Sequence, residues 1–159
     1  CLQKPVSVIG KSQQSTQLGA VSLIQDCFEI QTPLVGIFTA LQAAKTDWNF
    51  ILACDYPLMD ERVVGYLQEL LVSNFDAVIP VVNQNPHPLA GFYHRRIQTR
   101  LKVFIQNGGL KVKDFLETLE VKYVALESVF DLKRLQPAFM NINAPADLQQ
   151  LRQLTGFST

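Results

Sequence analysis

The 159 residues suffice for one domain over 1–159, which by the scaling of surface with chain length hides about two thirds of its unfolded surface. Hydrophobic residues make up 48% and charged ones 18%, with 14 basic side chains against 14 acidic, which excludes a disordered chain and a generally cationic partner for nucleic acid. With no apolar run near a bilayer span, no signal-peptide start, and three cysteines (Cys1, Cys27, Cys54) that form no C-x-x-C pair, the expectation is a soluble cytoplasmic protein without disulfide framework or structural zinc.

The chain opens at Cys1-Leu2-Gln3-Lys4-Pro5 and enters a β-branched run at 6–9, closed by Gly10. Because a doubly wound fold often carries its phosphate loop in the first βα unit, the expectation is that such a unit is missing from these residues. A second run at 21–24 stops at Asp26. Thr32 and Pro33 then offer an N-cap and a first helical residue, and Leu34, Ile37, Phe38 and Leu41 follow at the spacing of one helix face. Residues 50–54 are continuously apolar, the pattern of a strand covered on both faces in a parallel sheet, and Asp55 ends them. Val63, Val64, Leu67, Leu70 and Leu71 repeat the helical spacing, and 77–82 read as another buried strand. The spacing then predicts a strand over 87–96, a helix over 97–106 stopped by Asn107, Gly108 and Gly109, and a short helix over 113–119. Strands at 123–126 and 139–142 and an amphipathic helix over 147–154, carrying Leu148, Leu151 and Leu154, complete the chain. The alternation predicts an α/β, Rossmann-like three-layer sandwich whose mixed sheet is mainly parallel.

Ligands of such sheets collect beyond the carboxyl ends of the strands, which singles out the polar residues that follow them. Asp55, in Leu52-Ala53-Cys54-Asp55-Tyr56-Pro57, is a hard oxygen ligand suited to Mg²⁺ or a cap for the turn into Pro57. Asp26 is read the same two ways, as site or turn aspartate. Asn141 and Asn143 share one face of an extended segment, where paired amides either bind a polar ligand or bond the local backbone. Gly36, inside a predicted helix, permits close approach of a ligand or of a packed neighbour. His87 and His94 match no metal-ligand spacing and read as turn or surface residues, and Cys54 reads as a small buried hydrophobe. Arg95, Arg96 and Arg100 either meet phosphates or form a solvated face.

Four segments taken together, Thr32-Pro33-Leu34-Val35-Gly36-Ile37, Ile51 through Pro57, His87-Pro88-Leu89-Ala90-Gly91-Phe92-Tyr93, and Asn141 through Leu148, resemble the molybdenum cofactor guanylyltransferase family in order and spacing. The resemblance implies a Mg²⁺-dependent nucleotidyltransferase that joins GMP from GTP to molybdopterin-bound molybdenum and releases pyrophosphate. It places the catalytic and metal-binding aspartate on Asp55, a GTP-contacting aspartate on Asp26, the last glycine of the P-L-x-G segment on Gly36, and the pterin-side amides on Asn141 and Asn143. It also implies contact with other cofactor-biosynthesis proteins and with recipient molybdoenzymes, and no nucleic acid or membrane partner.

Three departures stand out. Thr32 replaces a usual glycine, Ala144 replaces a usual threonine, and the family's glycine-rich loop with its Lys and Arg is absent from the 159 residues. The mechanism implied is in-line attack by a pterin phosphate oxygen on the α-phosphorus of GTP, without a general base. Two alternatives remain open: a related nucleotidyltransferase of other base or acceptor specificity, such as a cytidylyltransferase, and a non-catalytic pterin- or partner-binding module.

Overall fold

A computed structural model describes residues 6–10, 22–25 and 30–140. Strands β1 (Ser7–Gly10) and β2 (Ser22–Gln25) pair in parallel as a two-stranded sheet. Helix α1 (Pro33–Ala43) lies against both, and begins where its sequence says it must: Thr32 is extended and its hydroxyl accepts the Leu34 N–H, with Pro33 in the first turn.

The larger sheet has five strands, β3 (Trp48–Leu52), β4 (Ala77–Val82), β5 (Asn85–Pro86), β6 (Ala90–His94) and β7 (Val121–Ala125). Strand β6 sits between β3 and β4 and runs antiparallel to both, while β7 pairs in parallel with β4. Strands β3, β4 and β7 therefore point one way, and their carboxyl ends share one edge with the start of β6, where Ala90 lies opposite Leu52. The sheet is mixed, as expected, and its three antiparallel pairings, β3–β6, β4–β6 and β4–β5, all involve the returning arm of one hairpin. That hairpin turns at Asn83 and Gln84, both at positive φ (49° and 62°), the conformation of a tight two-residue turn that follows the strands' own twist. Asn83 N–H donates to the Glu127 carboxylate, which pins the turn to the far side of β7.

Alternation along the strands divides the core into two. Ala77 and Ile79 of β4 and Tyr93 of β6 face the layer built by α1, α3 (Gln98–Gln106) and α4 (Val112–Leu116), with Leu34, Leu41, Leu101, Ile105 and Phe115 buried among them. Val78, Val82, Ala90 and Phe92 face the opposite layer, built by α2 (Glu61–Glu69) and α5 (Leu132–Ala138). At Gly91 the two strands come so close that a Cβ would lie 2.9 Å from the Val78 carbonyl oxygen, so only glycine fits.

Several expectations shift. The strand predicted over 50–54 ends at Leu52, and it is half-buried, with Leu52 exposed, because among the described residues β3 has a neighbour on one side only. Cys54 is consequently exposed in the turn beyond the sheet and is not a core residue. The segment 87–96 resolves into a turn, the five residues of β6 and a 3-10 turn (Arg95–Ile97) capped by the His94 imidazole, whose Nδ1 accepts the Arg96 N–H at 3.1 Å. Helix α5 is absent from the sequence reading, and it displaces the start of the strand expected at 139–142. Asp131 caps α5 by accepting the Lys133 N–H, and Phe139 ends it as a buried core residue. The remainder of that strand and the helix expected over 147–154 lie outside the described residues.

Candidate functional site

At the shared carboxyl edge the chain leaves β3 and crosses to α2 through residues 53–60. Ala53 N–H donates to the Leu89 carbonyl (2.8 Å), and Tyr56 N–H donates back to the Ala53 carbonyl (3.3 Å), which closes a turn with Cys54 and Asp55 at its tip. The far end is held by Asp60: one carboxylate oxygen caps α2 by accepting the Arg62 N–H (2.8 Å), and the other lies 3.2 Å from Arg134 Nε of α5.

Asp55 is half-buried, and its Oδ1 is sealed from solvent with no hydrogen-bond partner among the described residues. A buried carboxylate oxygen left without a donor is costly and rare in a folded protein, and a cation removes the cost directly. Among the described residues no three His, Cys, Asp or Glu side chains gather as a metal cage. A single carboxylate suits Mg²⁺, which keeps its waters and takes remaining oxygens from substrate phosphates. The donor set at Asp55 therefore fits that ion.

Next to it stands a small aromatic group that sequence reasoning missed. The Tyr56 hydroxyl and His87 Nδ1 are 3.2 Å apart, hydrogen-bonded in the sense the imidazole tautomer sets. The His87 ring lies 4.7 Å from that of Phe139 and 6.0 Å from that of Tyr56. Burial pushes the Tyr56 hydroxyl above its usual value, and the negative charge of Asp55 adds to the push. Burial alone lowers His87, which favours the neutral ring. His87 opens one of the four family-like segments, but that segment does not name its partners, which come from 31 residues away and from the end of an unpredicted helix.

The other sequence candidates fare unequally. Gly36 is half-buried on α1, and a Cβ there would meet no atom within 4 Å, so helix packing does not demand glycine at that point. Asp26, Asn141 and Asn143 lie outside the described residues. Thr32 does more than cap: its hydroxyl donates to the Leu110 carbonyl (2.6 Å), tying the start of α1 to the α3–α4 connection.

The arginine cluster belongs to a different site at the opposite end of β4. Asp76 is 2% exposed; its Oδ1 receives Arg96 Nε (2.7 Å), and its Oδ2 receives Arg100 Nη2 (3.1 Å) and the Glu120 N–H (3.2 Å). Arg96 also donates to the carbonyls of Ser73 (2.6 Å) and Phe75 (2.8 Å). Burial would raise the Asp76 carboxyl, but the Arg96 hydrogen bond, the Glu120 N–H and the charges of Arg100 and Arg96 outweigh it and hold it below its usual value. Arg96 and Arg100 are thus committed to the fold.

Comparison with known proteins identifies the family and the fold. The family model described as a MobA-like NTP transferase domain matches residues 1–124. A Bacillus licheniformis protein named "Probable molybdenum cofactor guanylyltransferase" is 30% identical over 145 residues, covering 89% of this chain and 72% of its own length. A Bacillus subtilis protein of the same name is 33% identical over 127 residues, covering 79% of this chain and 62% of its own. The fold matches the Archaeoglobus fulgidus molybdopterin-guanine dinucleotide biosynthesis protein A with a TM-score of 0.81 at 24% identity, over 94% of this chain and 78% of that one. A family match over most of the chain, with a relative 30% identical over 89% of it, leads to one assignment: the chain belongs to the MobA-like nucleotidyltransferase family.

Proposed function

We propose that the protein transfers GMP from GTP to the molybdenum-bound pterin cofactor, with Asp55 as the residue that engages Mg²⁺ and, through it, the triphosphate. The observation that carries the reading is the buried, partnerless Oδ1 of Asp55 at the carboxyl edge of β3. The relatives' printed names support the substrate pair. Bound there, Mg²⁺ would offset phosphate charge and favour departure of pyrophosphate.

The reaction is an in-line displacement. A terminal phosphate oxygen of the pterin forms a bond to the α-phosphorus of GTP as the bond from that phosphorus to the α,β-bridging oxygen breaks, and the bridging oxygen leaves on pyrophosphate. The nucleophile is already ionised near neutral pH, so no general base is required, and catalysis is positioning and charge neutralisation. Asp55 supplies the fixed negative oxygen, and Gly36 leaves open space on α1 for the approach of a ligand. Asp26 is assigned to GTP, and Asn141 and Asn143 to the pterin. Among the described residues no helix is long and apolar enough to cross a membrane.

The test is Asp55→Asn in the complete gene product, followed as pyrophosphate release with GTP and molybdopterin. Removing one charged oxygen ligand should lower turnover about 10²–10³-fold, as for loss of one preorganised electrostatic contact, with the melting temperature retained. Wild-type turnover in that variant overturns the reading. GTP-independent binding of the pterin without any transfer by the unaltered protein would replace it with a binding module.

A further inference from the structure

The tip that carries Asp55 has no helix or strand of its own, and no donor holds the inner oxygen of its carboxylate. The carboxylate's direction is set by the backbone around it, and that backbone is tied on both sides of Asp55 to the turn 87–90. Upstream, Ala53 N–H donates to Leu89 O (2.8 Å); downstream, the side chain of Tyr56 reaches His87 Nδ1 (3.2 Å). The turn is itself immobilised: His87 N–H donates to Pro80 O (2.9 Å) in β4, His87 O accepts Ala90 N–H (3.1 Å) at the start of β6, and the imidazole packs on Phe139. His87 thus stands on the two central strands, and Tyr56 transmits that fixed position to the residue beside it.

We propose that the Tyr56–His87 pair is a positioning device for the metal-binding carboxylate, in which His87 holds Tyr56 and Tyr56 holds the orientation of Asp55. The role requires neither side chain to touch substrate. The inference rests on the assignment of Asp55 to a divalent cation and goes beyond it by naming what aims the ligand. Outer groups that orient a metal ligand typically govern affinity by about 10–100-fold when removed. A pair that serves only as core filling changes stability and leaves affinity alone.

The experiment is a titration of the complete protein into preformed Mn²⁺·GTP, read as the enhancement of the water proton relaxation rate that a protein-bound Mn²⁺·GTP complex gives, beside a melting curve for each variant. Tyr56→Phe, which deletes only the hydroxyl, and His87→Phe should each weaken Mn²⁺·GTP binding about tenfold. The double variant should be no weaker than either single one, because both remove the same link. His87→Asn, which keeps an acceptor near the hydroxyl, should recover much of the loss. Should His87→Phe fail to fold, Tyr56→Phe decides alone. Unchanged affinity in Tyr56→Phe, with binding abolished in Asp55→Asn, overturns the positioning role and leaves the cation site standing. Unchanged affinity in Asp55→Asn overturns the cation site itself.

Discussion

Two aspartates mark opposite ends of the sheet and are treated in opposite ways. Asp76, entering β4, is buried and saturated by Arg96, Arg100 and the Glu120 N–H. Asp55, leaving β3, is half-buried and has an oxygen that receives nothing. The first carboxylate joins β4, the 3-10 turn, α3 and the approach to β7, so its charge is used up inside the fold. The second is surrounded by backbone ties that stop short of its inner oxygen, so among the described residues its charge is not used up inside the fold. Residue type and strand position do not tell the two carboxylates apart; the count of donors that reach each one does.

The strongest way to break this contrast is to unsaturate Asp76. Arg96→Ala removes the shortest ion pair and two carbonyl contacts, and leaves a buried charge with Arg100 and one N–H. Urea unfolding should show a loss of about 1–3 kcal/mol, less than for a fully buried pair because the Arg96 side chain is 39% exposed and Arg100 stays with the carboxylate. Mn²⁺·GTP affinity of the folded protein should be unaffected. A loss below about 1 kcal/mol would show that the Asp76 cluster is ornamental.

The converse change relieves Asp55. Asp55→Asn neutralises a carboxylate that the fold leaves without a donor, so stability in the absence of cation should stay within about 1 kcal/mol of the parent, or rise, while transfer collapses. A large fall in melting temperature would mean that Asp55 is structural after all.

Acid sharpens the comparison further. The Asp76 carboxyl is held below its unfolded value, so it contributes stability that is fully present above the ordinary carboxylate range and is lost as pH falls through the folded value. Denaturation curves at successive pH values should show that loss in the parent and a flatter profile in Arg96→Ala, since the variant no longer depresses the titration as far. Parallel profiles would assign the acid sensitivity to other groups.

The smallest effect is expected at Thr32, a neutral residue satisfied in both directions. Thr32→Ala deletes the cap on Leu34 N–H and the bond to Leu110 O, and should cost about 0.5–2 kcal/mol by thermal unfolding. Thr32→Ser, which keeps the hydroxyl, should recover most of it.

The parts of this structure that were legible in sequence are those whose causes are local. Thr32, Pro33 and the apolar face of α1 lie within three turns of chain, and all behave as read. Asp55 was visible because an apolar run ends at it, although the strand stops earlier, at Leu52. The antiparallel course of β6 was not visible, since its tight turn is built from Asn83 and Gln84 without the glycine that usually advertises such a hairpin. Helix α5 was hidden by its brevity and by Pro137 near its end. Asp76 went unremarked for a different reason: its partners lie 20, 24 and 44 residues away, so the arginines looked free and the aspartate looked ordinary. His87 is the same lesson inside the candidate site, a histidine that matches no metal-ligand spacing and acquires its contacts with Tyr56 and Phe139 only once the sheet is formed.

The placement of β6 between β3 and β4 also has a bearing on how the molecule assembles. The β4–β6 hairpin closes a short loop, with Val82 opposite Asn85 and Ala77 opposite Tyr93, whereas β3 finds its partner far along the chain, Leu52 with Ala90 and Trp48 with His94. Short closures lose little chain entropy and form early, and long ones wait for a template. The hairpin is that template. Pulse-labelled amide exchange during refolding should therefore protect β4 and β6 before β3, and the Ala53 amide, which bonds to Leu89, should be among the last to close. The turn bearing Asp55 then acquires its shape only after the rest of the sheet can no longer rearrange, so a nascent chain would carry no competent cation site until the hairpin and β3 had left the ribosome together.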